Sequence, residues 1–145
     1  MGLLPAKLTD ETTPAGISGW IRLLALLLTV GEPVSFAAAA AASFNAIAVR
    51  GVPVVFVLLF RLGATAMCVA AGRALLDRRS SAPSLTRIAL ASSLAASVFA
   101  AVTPYFPSNR LPGETTVYVA GTILYYGAWL VYVSVSKRVA ATCAS

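Results

Sequence analysis

The chain has no histidine among its 145 residues, and that absence removes a great deal of chemistry. Histidine-based acid–base catalysis, the serine triad and histidine metal centres are all excluded. Cysteine is almost missing too. Cys68 and Cys143 lie far apart and form no CxxC pair, so neither a zinc site nor a thioredoxin-like motif is encoded, and both read as free thiols. Charge is scarce as well: charged residues make up 11% of the chain, where a soluble domain carries about a quarter. No nucleophile, base or metal set can be assembled from what is left, so no catalytic residue, cofactor or metal is expected and the chain does not read as an enzyme. The net charge of +6 does not indicate nucleic acid, because no basic stripe interleaves with exposed aromatics.

What the chain does have is apolar length. Hydrophobic residues account for 59% of it, and the mean hydropathy is +0.84. A helix that crosses a bilayer needs ~20 predominantly apolar residues. Four segments qualify, at about 19–42, 53–76, 85–106 and 115–135. The breaks between them are "NAIAVRGVP", with Gly51 and Pro53, then "DRRSSAPS", then "PSNRLPGET". Proline, glycine and charge at these points end helices in lipid. The predicted fold is all-α: one integral membrane bundle of four transmembrane helices over 19–139, with tails at 1–18 and 140–145.

The basic residues orient this bundle. Lys7, Arg22, Arg73, Arg78, Arg79, Arg87, Lys137 and Arg138 fall on one side, Arg50 and Arg110 on the other, and Arg61 within a span. The positive-inside rule then places both tails and the second connection in the cytoplasm. "RLLALLLTV" followed by "FAAAAAAS" also has the look of a signal-peptide core with a cleavage site. Such a leader would run to about 40 residues, where 15–30 is usual, and would carry Asp10 and Glu11, so the segment is read as a retained first span.

Within that span stands "LTVGEPVSFA", a Glu and a Pro in the middle of hydrocarbon. With helices running in opposite directions at ~1.5 Å per residue, Glu32 sits ~20 Å and Arg61 ~22 Å above the cytoplasmic ends of their helices. Each charge alone is costly at that depth, and pairing removes most of the cost. A Glu32–Arg61 ion pair is therefore predicted between the first two helices. Pro33 frees a carbonyl near Thr29, which Thr29, Ser35 or Arg61 is expected to satisfy. Glu32 has a functional reading, as a proton or cation site, and a structural one, as the neutralising partner of Arg61. The structural one is preferred, since an Arg at matching depth keeps the carboxylate ionised.

Small residues mark packing surfaces in membranes. Ala64, Cys68 and Gly72 form one four-residue series, and Ala89, Ser93, Ser97 and Ala101 another. The serines Ser92, Ser93 and Ser97 are expected to bond back to their own helix. In the fourth span Tyr118, Gly121, Tyr125, Ala128 and Tyr132 share a stripe, read as packing and interface anchoring rather than as a ligand groove. Arg78, Arg79, Lys137 and Arg138 form a cytoplasmic basic rim suited to anionic lipid headgroups.

The C-terminal "WLVYVSVSKRVAATC" resembles the ending of a family of small bacterial inner-membrane proteins, domain of unknown function 2569. That family ends W-x-x-Y-x-x-x-S-K-R-V-x-x-T-F. Trp129, Tyr132, Ser136, Lys137, Arg138, Val139 and Thr142 match in register, and Cys143 stands in place of the Phe. "GISGWIRLLAL" is similar to the family's G-x-G-G-W-L opening through Gly16, Gly19 and Trp20, with Ser18 in place of a glycine. "RALLDRRSSAPSLTRI" resembles its basic, proline-containing cytoplasmic loop. The resemblance implies a multi-pass protein of the bacterial inner membrane with both ends inside, and no established activity. Relatives tend to carry an acidic residue in the second helix and a basic one in the fourth. This chain has Arg61 in the second and no charge within the fourth, which favours a structural role for the buried pair. The expected function is a structural or interaction module in the bilayer, with a membrane-protein partner or a second copy of itself. The rival is a small multidrug-type or proton-coupled transporter using Glu32.

Overall fold

The computed structural model describes residues 19–104, 111, 113–137 and 139. Among them are four helices long and apolar enough to cross a membrane: α1 (Gly19–Arg50), α2 (Val52–Leu76), α3 (Ala82–Val102) and α4 (Glu114–Val135). No strand occurs among the described residues. The expected spans are met in number and order, with shifted ends. α1 continues to Arg50, and Gly51 then reverses the chain at φ +67. A side chain rarely adopts that left-handed conformation, so glycine belongs there. The segment α3 starts at Ala82 with Pro83 in its first turn and stops at Val102, because proline is tolerated where an N–H has no helical partner anyway.

The α2–α3 turn closes on backbone bonds. Arg79 N–H donates to the Ala74 carbonyl at 3.0 Å and Arg78 N–H to the Leu75 carbonyl at 3.3 Å. Arg78 takes the left-handed position, φ 54, that glycine usually fills in this motif.

The packing follows chain order, α1 on α2, α2 on α3 and α3 on α4. The inner pair, α2 and α3, supplies the largest buried faces. One apolar cluster gathers Ile21, Leu24 and Leu28 of α1, Cys68, Ala71 and Leu75 of α2, Ala89 and Leu90 of α3, and Tyr126 and Val133 of α4, with Val139 beyond it. This cluster puts the start of α1, the α2–α3 turn and the end of α4 at one end of the bundle. At the opposite end the Arg50 guanidinium donates to the Pro104 carbonyl, tying the end of α1 to the chain after α3.

The small-residue series locate the tightest packing. Ala64, Cys68 and Gly72 are all buried. A Cβ on Gly72 would stand 2.6 Å from Thr29 Cγ2 and 3.0 Å from the Ala25 carbonyl oxygen, so α1 and α2 touch there almost backbone to backbone. In α3, Ala89, Ser93 and Ser97 are buried, whereas Ala100 rather than Ala101 completes the series. Ser93 does not turn back on its own helix: its hydroxyl meets the Cys68 thiol at 3.1 Å, joining α3 to α2.

Candidate functional site

About a third of the way along α1 the helix widens. Leu27–Gly31 form a π-helical turn, closed by Glu32 N–H donating to the Leu27 carbonyl. Its cause stands at the next residue, Pro33. The proline ring would collide with the carbonyl four residues back, and a wider turn moves that carbonyl aside. Thr29 relieves a different carbonyl from the one expected. Its hydroxyl donates to Ala25, at 2.7 Å, one turn before the widened segment.

The widened turn decides where Glu32 points. One extra residue in a turn rotates everything after it by about 100° around the helix axis. Glu32 accordingly meets α4: the Tyr126 hydroxyl donates to its Oε1 at 2.6 Å. The predicted Glu32–Arg61 contact is corrected by this geometry. No Arg61 nitrogen comes within the 4.0 Å of an ion pair with Glu32. Among the described residues the ion pair found is Arg79–Asp77, at 3.6 Å, on the surface. The two charges agree in depth but differ in direction, and rise per residue fixes depth alone. Neither is buried in protein, since both are half-exposed.

Glu32 and Arg61 nevertheless share one space. Both line a cleft of about 470 Å³, with Ser97 of α3 and Tyr118, Tyr125 and Tyr126 of α4 on its walls. That volume lies in the range of small-molecule sites. The tyrosine stripe divides: Tyr132 packs against the core cluster, while the other two tyrosines line the cleft. Tyr118 is 38% and Tyr125 43% exposed, and both face this cleft instead of packing into the bundle. Tyr125 lays its ring against Tyr126 at 5.0 Å, edge to face. Among the described tyrosines the buried one is Tyr126, which the sequence reasoning missed. The available signal was the neighbouring stripe through Tyr126, Trp129 and Val133, which tracks the core rather than the tyrosines.

The residues carrying the C-terminal resemblance gather at the other end. Trp129 packs on Trp20 at 6.4 Å and on Tyr132 at 5.8 Å, so the two stretches that resemble the family meet in space. Val139 is 1% exposed, held by its N–H to the Ser136 carbonyl at 3.1 Å. Lys137 is exposed, and Arg79 is tied to Asp77. Arg138 and Thr142 lie outside the described residues, as does Cys143. No group of His, Cys, Asp or Glu able to hold a metal ion is found among the described residues.

Four apolar helices and a half-buried carboxylate define a multi-pass membrane protein with a cleft that holds Glu32 and Arg61 inside its spanning region. The chain belongs to the family described as protein of unknown function (DUF2569), whose model matches residues 14–143. No curated protein and no solved structure matches it.

Proposed function

We propose that this is a bacterial inner-membrane protein with both termini in the cytoplasm, and that it works without catalysis as an interaction module whose working surface is the Glu32 cleft. The observation that carries this reading is the Tyr126–Glu32 hydrogen bond, which holds a carboxylate in the wall of an open cleft about halfway along α1. Ionisable groups such as Glu32 and Arg61 in a cleft at that depth are expensive to maintain in lipid unless something fills it. The uneven distribution of basic residues supports the topology, and the exposed Lys137 supports a headgroup-facing rim at the cytoplasmic end.

A second reading draws on the same geometry. Arg61 does not lock Glu32, so the carboxylate is available to a cation, as a small proton-coupled transporter requires. Cysteine labelling tests the cleft directly. In a Cys143→Ser background, Ser35→Cys on the cleft wall is expected to react with a water-soluble maleimide, while Cys68, 0% exposed, stays unmodified. Equal protection of both cysteines in folded protein defeats the open cleft and both readings built on it. A C-terminal alkaline phosphatase fusion is expected to be inactive, and full activity would reverse the topology.

A further inference from the structure

The cleft presents two opposite charges that form no direct ion pair with each other. One Glu32 oxygen accepts from Tyr126, and the other is not engaged by any described cation. Arg61, on a different helix, makes no hydrogen bond or ion pair with a described residue, yet lines the same space. An anion alone would satisfy Arg61 and face the carboxylate unfavourably; a cation alone would do the reverse. A molecule with both charges satisfies both walls at once. Two exposed tyrosine rings, Tyr118 and Tyr125, line the same cleft and suit an ammonium group. Ser97 and Thr122 add hydroxyls along the same walls.

Resting on the reading of the cleft as the working surface, we infer that it takes a zwitterionic headgroup, an ammonium at Glu32 and a phosphate or carboxylate at Arg61. At the level of the cleft the neighbouring faces of α1 and α4 are apolar and outward-facing, with Val34 62%, Val117 74% and Leu124 73% exposed. They offer a path for acyl chains. The same chemistry occurs in a membrane lipid and in a free zwitterion, and the test separates the two.

Full-length protein in mild detergent is assayed by native mass spectrometry with phosphatidylethanolamine, with phosphatidylglycerol of the same chains, with tetraphenylphosphonium, and with free phosphoethanolamine as competitor. One phosphatidylethanolamine per chain is expected, at least tenfold tighter than phosphatidylglycerol. Displacement by phosphoethanolamine at micromolar concentration assigns the site to a soluble zwitterion, and resistance to it assigns the lipid. Arg61→Gln and Glu32→Gln are each expected to weaken phosphatidylethanolamine about tenfold, with Arg22→Gln, exposed at the far end and outside the basic rim, neutral. Should the charge-removing variants not fold, the preference of the natural protein between the two lipids still decides. Equal binding of both lipids overturns the zwitterion, as does Arg61-dependent phosphatidylglycerol binding or Glu32-dependent phosphonium binding alone, and these leave the cleft as a binding surface. No cleft-dependent binding of any probe overturns both.

Discussion

The two ends of this bundle solve different problems with the same four helices. At the end holding Trp20, Leu75 and Val139, all four helices contribute to one apolar cluster, and large side chains such as Ile21, Leu24 and Leu90 are fully buried. Beyond the widened turn of α1 that cluster stops. Ser43 is the sole buried residue of Glu32–Arg50, and nothing in α4 before Tyr126 is buried. Between α1 and α4 lies the cleft. A helix in lipid gains nothing from hiding apolar surface as such, so contact forms only where shapes interlock. Small residues let α1, α2 and α3 interlock at the closed end, whereas at the open end Glu32 and Tyr126 are the link between the first and last helices. The closed end therefore carries the stability and the open end keeps polar groups accessible.

Substitutions that act differently at the two ends put this division at risk. The largest effect is expected from Leu90→Ala, at 1% exposure within the cluster. Leucine-to-alanine changes in soluble cores cost about 2–5 kcal/mol. The lower part of that range, about 2 kcal/mol, applies here because helices separated in lipid already keep leucine from water, leaving mainly the cavity. Leu124→Ala, 73% exposed on α4, should change the unfolding free energy by less than about 0.5 kcal/mol. Equal losses in a detergent unfolding titration would mean that the open end is as closely packed as the other.

Next in size is Gly72→Ala. The added methyl would lie 2.6 Å from Thr29 Cγ2 and 3.0 Å from a backbone oxygen, and the backbone cannot yield cheaply. A loss of about 1–2 kcal/mol is expected from overpacking. Gly121→Ala, on the cleft wall with nothing within 4 Å of the new atom, should be neutral or slightly stabilising, since alanine is the better helix former. A stabilising Gly72→Ala would show that α1 and α2 are farther apart than described.

Composition made the closed end readable and left much of the open end hidden. Four apolar stretches and their breaks predict four helices, and small residues at four-residue spacing mark where α2 and α3 bury their faces. Those patterns depend on periodicity, which survives any rigid rotation of one helix against another. The cleft depends on direction, and there the reading failed in a specific way. Equal depth suggested that Glu32 meets Arg61, but the π-turn before Pro33 adds about 100° that no rise-per-residue estimate includes. The signal was present in "VGEPV", because a proline inside a membrane helix often forces a local change of pitch. Following the stripe through Tyr118, Tyr125 and Tyr132 likewise selected Tyr125 on the exposed side and passed over Tyr126, whose partner comes from α1.

The finest distinction separates these adjacent tyrosines. Tyr126→Phe removes the 2.6 Å hydrogen bond to Glu32 while keeping the buried ring. Hydrogen bonds between membrane helices average about 0.6 kcal/mol, and a charged acceptor raises that toward about 1.5. Tyr125→Phe removes a hydroxyl from a residue 43% exposed, whose hydrogen-bond neighbour is Trp129 on its own helix, and should cost less. The pair is informative because the substitutions are chemically identical, one residue apart, and differ only in which way the helix turns each ring. In a double-mutant cycle with Glu32→Gln, Tyr126→Phe should show coupling of about 0.5 kcal/mol or more, and Tyr125→Phe none. Coupling to Arg61→Gln at the same strength, with none to Tyr126→Phe, would restore the ion pair between α1 and α2 and leave the cleft without its carboxylate.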